Sequence, residues 1–598
     1  MVGLNPRKFQ PTLLCLNWLD PFPPVMNAQT LLKNLKASPL FLPIGGTIAL
    51  IAGGSIAFWA ITRSNFAPGT LPIGSNVIPE DALMVMSTTT EPGQWKQLRA
   101  FGTQKSQEFL DQNIAQVRDR FLFDNGLDYE RDIQPWVGRE VSFALLSPQG
   151  ETQLPADGAS VRPANPQPAL LMLPIEDAIK AKEVLGKYQG AQQWTKRIYK
   201  DVEIQEGQVG KANKTLSIAA LDGKLVVVAN SPRAIEQAIE TYKGSNAIAT
   251  LPGYSSALGQ IQTGPSFSTV YLNLPAMAQQ GGRSVRPNPK KDMPIQGWAM
   301  TTTLQNEGIQ MKSVLWLKPD SQTKFSTDNN AKTMATRLPA DSVMTLAGGS
   351  FKQFWTDYSR DYATNPIKLL DPASFKQEIR GAIGMDLEQD FANWMDGEFS
   401  LALLPVPSGS SPLNPVGVTM MVQASDRRAA EKALTQLDET MGRKYNFKIE
   451  PNKVANQDVV LWKMANGETS VTRGWLDNNI AFLTLGGPVA ATFLPRPANP
   501  LTSQPMFKQV TADPKMAKSG EIFIDLEKAA TYKDLPLLRS PLSNLMWTEA
   551  IRSIGITTAN TSDRTIRYDA IVLLKKGATP GVLPSPTAQV IPLPPKKK

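Results

Sequence analysis

Alternation of apolar and polar positions dominates the chain between residues 77 and 575. "EVSFALL" from Glu140, "EFSLALL" from Glu398, "PALLMLPI" from Pro168 and "VGVTMMVQA" from Val416 predict strands. "ALMVMSTT" from Ala82 and "SVMTLAGG" from Ser342 predict shorter ones. "LSIAALDGKLVVVA", with Asp222–Gly223 at its centre, predicts a tight hairpin. Between these runs the period changes to that of a helix. Trp95–Phe121 predicts one long amphipathic helix with Leu98, Phe101, Phe109 and Ile114 on its apolar face. "IEDAIKAKEVLGKY" and "SDRRAAEKALTQLDETMG" predict two more, and "SPRAIEQAIETY" a third with Ser231 as N-cap and Pro232 at N1. Many strands joined by hairpins, with helices between some of them, predict an α+β fold with largely antiparallel sheet.

The pattern occurs twice. "GLDYERDIQPWVGREVSFALL" (126–146) returns as "GMDLEQDFANWMDGEFSLALL" (384–404), shifted by 258 positions, with ten identities in twenty-one. "IPEDALMV" at Ile78 is answered by "LPADSVMT" at Leu338, "LDGKLVVVANSP" at Leu221 by "LDNNIAFLTLGGP" at Leu476, and "STVYLNL" by "GEIFIDL". A period near 258 is the size of a domain, not of a solenoid repeat. The expected organisation is a first repeat domain at 77–320 and a second at 337–575. Linkers are expected at 63–76 and 321–336, and a disordered proline- and lysine-rich tail at 576–598.

Ahead of the repeats stands Leu40–Ile61, twenty-two residues without a charge. At ~1.5 Å per residue that length crosses a hydrocarbon core of ~30 Å. Residues 40–62 are therefore expected to be a transmembrane anchor in contact with the lipid bilayer. Lys33 and Lys36 make the N-terminal flank the more basic, which places 1–39 in the cytoplasm and the body outside it. A cleaved leader shares the basic start and apolar centre. This run is longer than a leader's core and "FWAITRSNF" offers no clean small-x-small site, so retention is favoured.

The net charge of +9 does not point to nucleic acid. Residues 1–63 carry +4 (five basic residues against Asp20) and 575–598 carry +5, which leaves zero for 64–574. A phosphate backbone needs a basic surface, and the body has no net one. The chain has no histidine and one cysteine, Cys15. Ser-His-Asp and Cys-His nucleophiles, histidine-bound metals and a disulfide framework are excluded with them. Neither a cofactor nor a metal is expected. The Ser321–Lys324 pair and Lys518–Ser519–Gly520 echo serine penicillin-interacting enzymes, but the first lies in a linker and the second is missing from the first repeat.

The acids of the repeated stretch tempt a calcium reading. That loop needs Gly sixth and Glu twelfth, where the first copy has Ile133 and Arg139 and the second Phe391 and Gly397. A structural reading fits more residues. Asp128 and Asp386 cap a short helix whose first turn holds further acids, including Asp132 and Asp390. Trp136 and Trp394 then plug the core, and the chain turns into strands opened by Glu140 and Glu398.

"IPEDALMVMSTTTEPGQW", "LRAFGT", "DIQPWVG" and "LDGKLVVVANSP", in that order, resemble an uncharacterised family, domain of unknown function 3352. The resemblance covers most of residues 70–575 and implies a membrane-anchored protein of a cyanobacterial envelope or thylakoid. It supplies no activity and no catalytic residues. Together these readings predict a non-enzymatic, membrane-tethered ectodomain that binds or scaffolds an unknown protein partner in the periplasm or thylakoid lumen. An apolar-ligand carrier with a cavity between helix and sheet is the alternative, and a hydrolase using carboxylates alone is the third.

Overall fold

The structure, a computed structural model, describes residues 71–121, 128–147, 167–190, 194–209, 214–280, 294–362, 371–407, 415–477, 479–511, 517–532 and 548–584. They form two compact units. One runs to Lys324 and resumes at Lys575; the other is Phe325–Leu574. The fold class is α+β, as the sequence predicts.

The first unit holds β1 (Met84–Thr89), α1 (Pro92–Arg99), α2 (Gln104–Phe121), β2 (Glu140–Leu145), β3 (Ala169–Pro174), α3 (Ala178–Gly190) and β4 (Trp194–Tyr199). It continues with β5 (Val202–Val209), β6 (Lys214–Leu221), β7 (Leu225–Ala229), α4 (Pro232–Tyr242), α5 (Tyr254–Ile261), β8 (Ser268–Leu272), α6 (Leu274–Gln280), β9 (Ile295–Gln305) and β10 (Gly308–Leu317). All pair antiparallel in the order β4-β5-β6-β7-β3-β2-β1-β8-β9-β10.

The second unit holds β11 (Met344–Gly348), α7 (Phe351–Asp361), α8 (Pro372–Ile383), β12 (Phe399–Pro405), β13 (Val416–Gln423), α9 (Arg427–Tyr445) and β14 (Lys448–Val454). Then come β15 (Gln457–Lys463), β16 (Thr469–Leu476), β17 (Ile480–Leu485), α10 (Pro505–Val510), β18 (Gly520–Asp525), α11 (Leu526–Ala529), β19 (Ile551–Ser562) and β20 (Thr565–Leu574). Its strand order is β14-β15-β16-β17-β13-β12-β11-β18-β19-β20. Strand for strand this is the topology of the first unit.

Local chemistry accounts for several elements. Asp222 and Gly223 both adopt positive φ, 48° and 63°, in a three-residue connection between the paired Leu221 and Leu225, closed by the Lys224 N–H on Leu221 O at 3.0 Å. Ser231 Oγ accepts the Ala234 N–H at 3.3 Å and Pro232 occupies the first turn of α4. The expected single helix over 95–121 is instead two. It breaks at Ala100–Thr103, where Gly102 has φ +106° and donates its N–H to Lys575 O at 2.7 Å. Leu98, Phe101 and Ile114 face inward as expected, but Leu110 takes the buried place expected of half-buried Phe109.

Each sheet carries a hydrophobic core on both faces, and on one face of the second sheet that core covers only part of the strands. In the first unit Val85, Leu170, Ile204 and Val227 meet Ile235 and Ile239 of α4 and Leu258 of α5. The opposite face packs Val141, Leu173, Ile218 and Val226 around Trp136 and Ala181 of α3. In the second unit Ala402, Met421, Phe482 and Phe523 meet Phe493, Leu494 and Phe507. Phe399, Val422, Trp462 and Val471 pack against Trp355, Phe375 and Leu434 of α7, α8 and α9. Each fully buried aliphatic or Phe side chain contributes roughly 1.5–3 kcal/mol, so these cores carry the fold without a crosslink.

Two segments depart from the expected boundaries. Residues 325–336, read as linker, are built into the second unit: Phe325 N–H donates to Asp563 O at 2.8 Å and Ala331 N–H to Lys518 O at 3.0 Å. Residue 575, read as the end of the second repeat, and residues 576–584, read as disordered tail, are hydrogen-bonded into the first unit. The segment 1–39, the apolar run 40–62 and most of the proline-rich loops lie outside the described residues. Among those described, no helix is long and apolar enough to cross a membrane.

Candidate binding face and the repeated motif

The repeated stretch folds into the same small device in both units. Asp128 caps a π turn over Tyr129–Ile133, accepting the Arg131 N–H at 2.9 Å, while Asp132 reaches back to the Asp128 N–H at 2.7 Å. Asp386 caps the π turn Leu387–Ala392 by accepting the Glu388 and Gln389 N–H groups, and Asp390 takes the Asp386 N–H at 2.7 Å. This is a reciprocal capping box with its second acid four residues on, which the wider π turn requires. The Gln389 N–H first, then that of Glu388 and the nearby Arg380, hold the Asp386 carboxyl below the usual carboxylate range. Trp136 and Trp394 are buried, and each indole N–H closes the turn on the main-chain oxygen of Asp132 or Asp390, at 2.7 and 2.8 Å.

The glutamates that follow hold the chain entering each unit. Glu398 is buried and accepts the N–H groups of Lys332, Thr333 and Met334 at 2.7, 2.6 and 3.0 Å. Glu140 occupies the same place in the first unit and bonds the Ile73 N–H and the Ser87 hydroxyl. Burial nevertheless pushes its carboxyl up. A pocket of about 100 Å³ lies beside it, lined by Ser87, Arg139, Glu140 and Phe267. It is well below the ~300 Å³ of an ordinary ligand site. At the equivalent place in the second unit, Gly349 faces Asn330, whose main-chain N lies 3.2 Å from where a Cβ would stand. Asp128, Asp132, Asp386, Asp390 and Glu398 are thus committed to backbone N–H groups. Among the described residues no three His, Cys, Asp or Glu side chains are placed to hold a metal.

The two units differ on one sheet face. In the first, Met84, Met86, Val270 and Leu272 are 2–7% exposed beneath Leu274 and Met277 of α6 and the indole of Trp298. In the second, the same places are held by Met344, Leu346, Ile522 and Ile524. The helix after β18 is only the four residues of α11, and Ile554 stands where the first unit has Trp298. The connection beyond α11 runs outside the described residues.

Two aliphatic rows consequently cross five central strands: Ile522, Leu346, Leu401, Met420, Leu483, and beside them Ile524, Met344, Leu403, Val418, Leu485. None of the ten is fully buried, and Leu401, on a central strand, is 41% exposed. At its edge Phe354 of α7, 39% exposed, packs its ring 5.6 Å from that of Phe399 and stacks on Tyr358 at 6.1 Å.

Sequence reasoning singled out the capped tryptophan turn and missed this face. The signal available was "EVSFALL" in the first repeat and "EFSLALL" in the second, with apolar residues on both faces. That pattern says a strand is apolar on both sides, but not what covers either.

A family model described as "Protein of unknown function (DUF3352)" matches residues 44–574. The chain belongs to this family. Among curated proteins none matches. Two crystal forms of TP0453 are similar solved structures. Form III shares 10% identity over 43% of this chain and 82% of that one, with a TM-score of 0.23. Form IV shares 9% identity over 42% and 81%, also at 0.23.

Proposed function

We propose that this chain is a membrane-tethered binding or scaffold protein whose two units stand outside the cytoplasm, in a periplasm or thylakoid lumen, and that the open sheet face of the second unit docks its protein partner. The observation that carries this reading is the contrast between Met84, Met86, Val270 and Leu272, sealed under α6, and the half-buried rows around Leu401, which is itself exposed. The uncharged run 40–62 with its basic N-terminal flank supports the tether. Cores filled by Trp136, Tyr254, Phe482 and Phe523 favour a surface over a ligand cavity. Acids bonded to backbone N–H groups, and a chain without histidine, favour binding over catalysis.

A photo-crosslinking residue at Leu401, in the full chain in its native membrane, tests this. One discrete protein adduct is expected, lost when Leu346→Asp is added and absent when the probe is moved to Ile198, which is exposed on the first unit. A lipid adduct would favour the carrier instead. Identical adducts at Leu401 and Ile198, or none, would sink the reading.

A further inference from the structure

After Leu574 the chain leaves the second unit and rejoins the first along α1 and α2. Its contacts are made chiefly through main-chain atoms. Gly102 N–H donates to Lys575 O at 2.7 Å, Gly577 N–H donates to Ala100 O at 2.8 Å, and Phe101 and Lys576 form an antiparallel bridge. Gln107 donates to Ala578 O at 2.9 Å and accepts the Ala578 N–H at 3.2 Å. Arg99 is 5% exposed and holds Asp111 with two bonds of 2.6 and 2.8 Å; the same guanidinium donates to Gly581 O at 2.8 Å. Arg118 donates to Pro584 O at 2.7 Å, Lys576 pairs with Glu307 at 3.0 Å, and Leu583 is buried. A Cβ on Gly577 would stand 2.5 Å from the Gln107 amide.

These are the contacts of an integral part of the α1–α2 hairpin, supplied by sequence that follows the other unit. A buried arginine needs its acceptors, and one of those of Arg99 lies on residue 581. We propose that residues 575–584 are a latch that makes the α1–α2 hairpin of the first unit conditional on the completed chain. With the latch seated, the hairpin is rigid. With it withdrawn, by unfolding of the second unit or by clipping near Lys575, the hairpin loosens while the α4–α5 core stays closed, because that core makes no use of the segment.

Hydrogen exchange on the full-length protein tests this. Gly577→Val should speed amide exchange across residues 99–118 by at least about tenfold, leaving α4, α5 and the second unit as in the wild type. Leu583→Asp, which leaves the bonds of Gly577 and Ala578 in place, should give the same pattern more weakly. Unchanged exchange over 99–118 in both variants would overturn the proposal. So would acceleration spread evenly over the whole first unit, since the segment would then add only to global stability.

Discussion

Arg473 grips Asp438 inside the second unit, its Nε standing 2.9 Å from each carboxylate oxygen with both residues buried. Trp462 adds a bond of 2.7 Å to the same carboxylate. The first unit has Ile218 at the place of Arg473 in the strand order, so the pair belongs to one copy alone. Removing one member of a buried ion pair strands the other and costs about 3–5 kcal/mol. Arg473→Ile is expected to destabilise the second unit by that amount. Adding Asp438→Asn, which keeps an acceptor for Trp462, should recover more than half, and urea melts of the full chain would measure both. A double variant no better than the single one would contradict this.

The two tryptophan turns should be energetically alike. Trp136→Ala and Trp394→Ala each open a cavity and free the acceptor of an indole N–H, at about 3–5 kcal/mol. Calorimetry should register a loss of similar size for each, with exchange raised around 128–141 in one variant and 386–399 in the other. A loss below about 1 kcal/mol in either would mean that the ring is not a core plug there.

Glu140 and Glu398 should respond oppositely to removal of charge. Burial raises the Glu140 pKa in the folded state above its unfolded value of about 4.3. The folded protein then binds the extra proton. The stability this group contributes is complete below pH ~4.3 and is lost as pH rises through the higher folded value. Glu140→Gln should therefore flatten the decline of stability above pH ~4.3 and leave the protein at least as stable as wild type at neutral pH. Glu398→Gln turns an amide toward three N–H donors and should cost about 1–3 kcal/mol at neutral pH. Chemical melts at pH 4 and 7 would separate the two.

Charge should be tolerated on the open face and not on the sealed one. Leu401→Lys is expected to cost less than about 1 kcal/mol. Val270→Lys, at a buried place on the corresponding face of the first unit, should cost about 3 kcal/mol or more. Binding of an environment-sensitive apolar dye should fall in the first variant only. Equal destabilisation would mean that the face around Leu401 is covered.

Where the signal was local, the sequence could be read directly. Asp222–Gly223 and Ser231–Pro232 each carry their conformational instruction within two residues. Asp128 and Asp386 announce their turns through spacing alone. The break at Gly102 was not legible, because a glycine in an amphipathic run marks a kink only when something takes the freed backbone groups. Here that partner, Lys575, lies in the tail. Nor could alternation in "EFSLALL" say that one repeat would grow a helix over Met84 and Met86 while its sibling left Leu401 bare. Coverage is a property of distant segments.

The bond from Arg99 to Gly581 spans 482 residues. At the ~5–20 residues per second of translation, roughly half a minute to a minute and a half separates the synthesis of these two partners. Throughout that interval the newborn N-terminal half holds Arg99 by Asp111 alone, without the oxygen of Gly581.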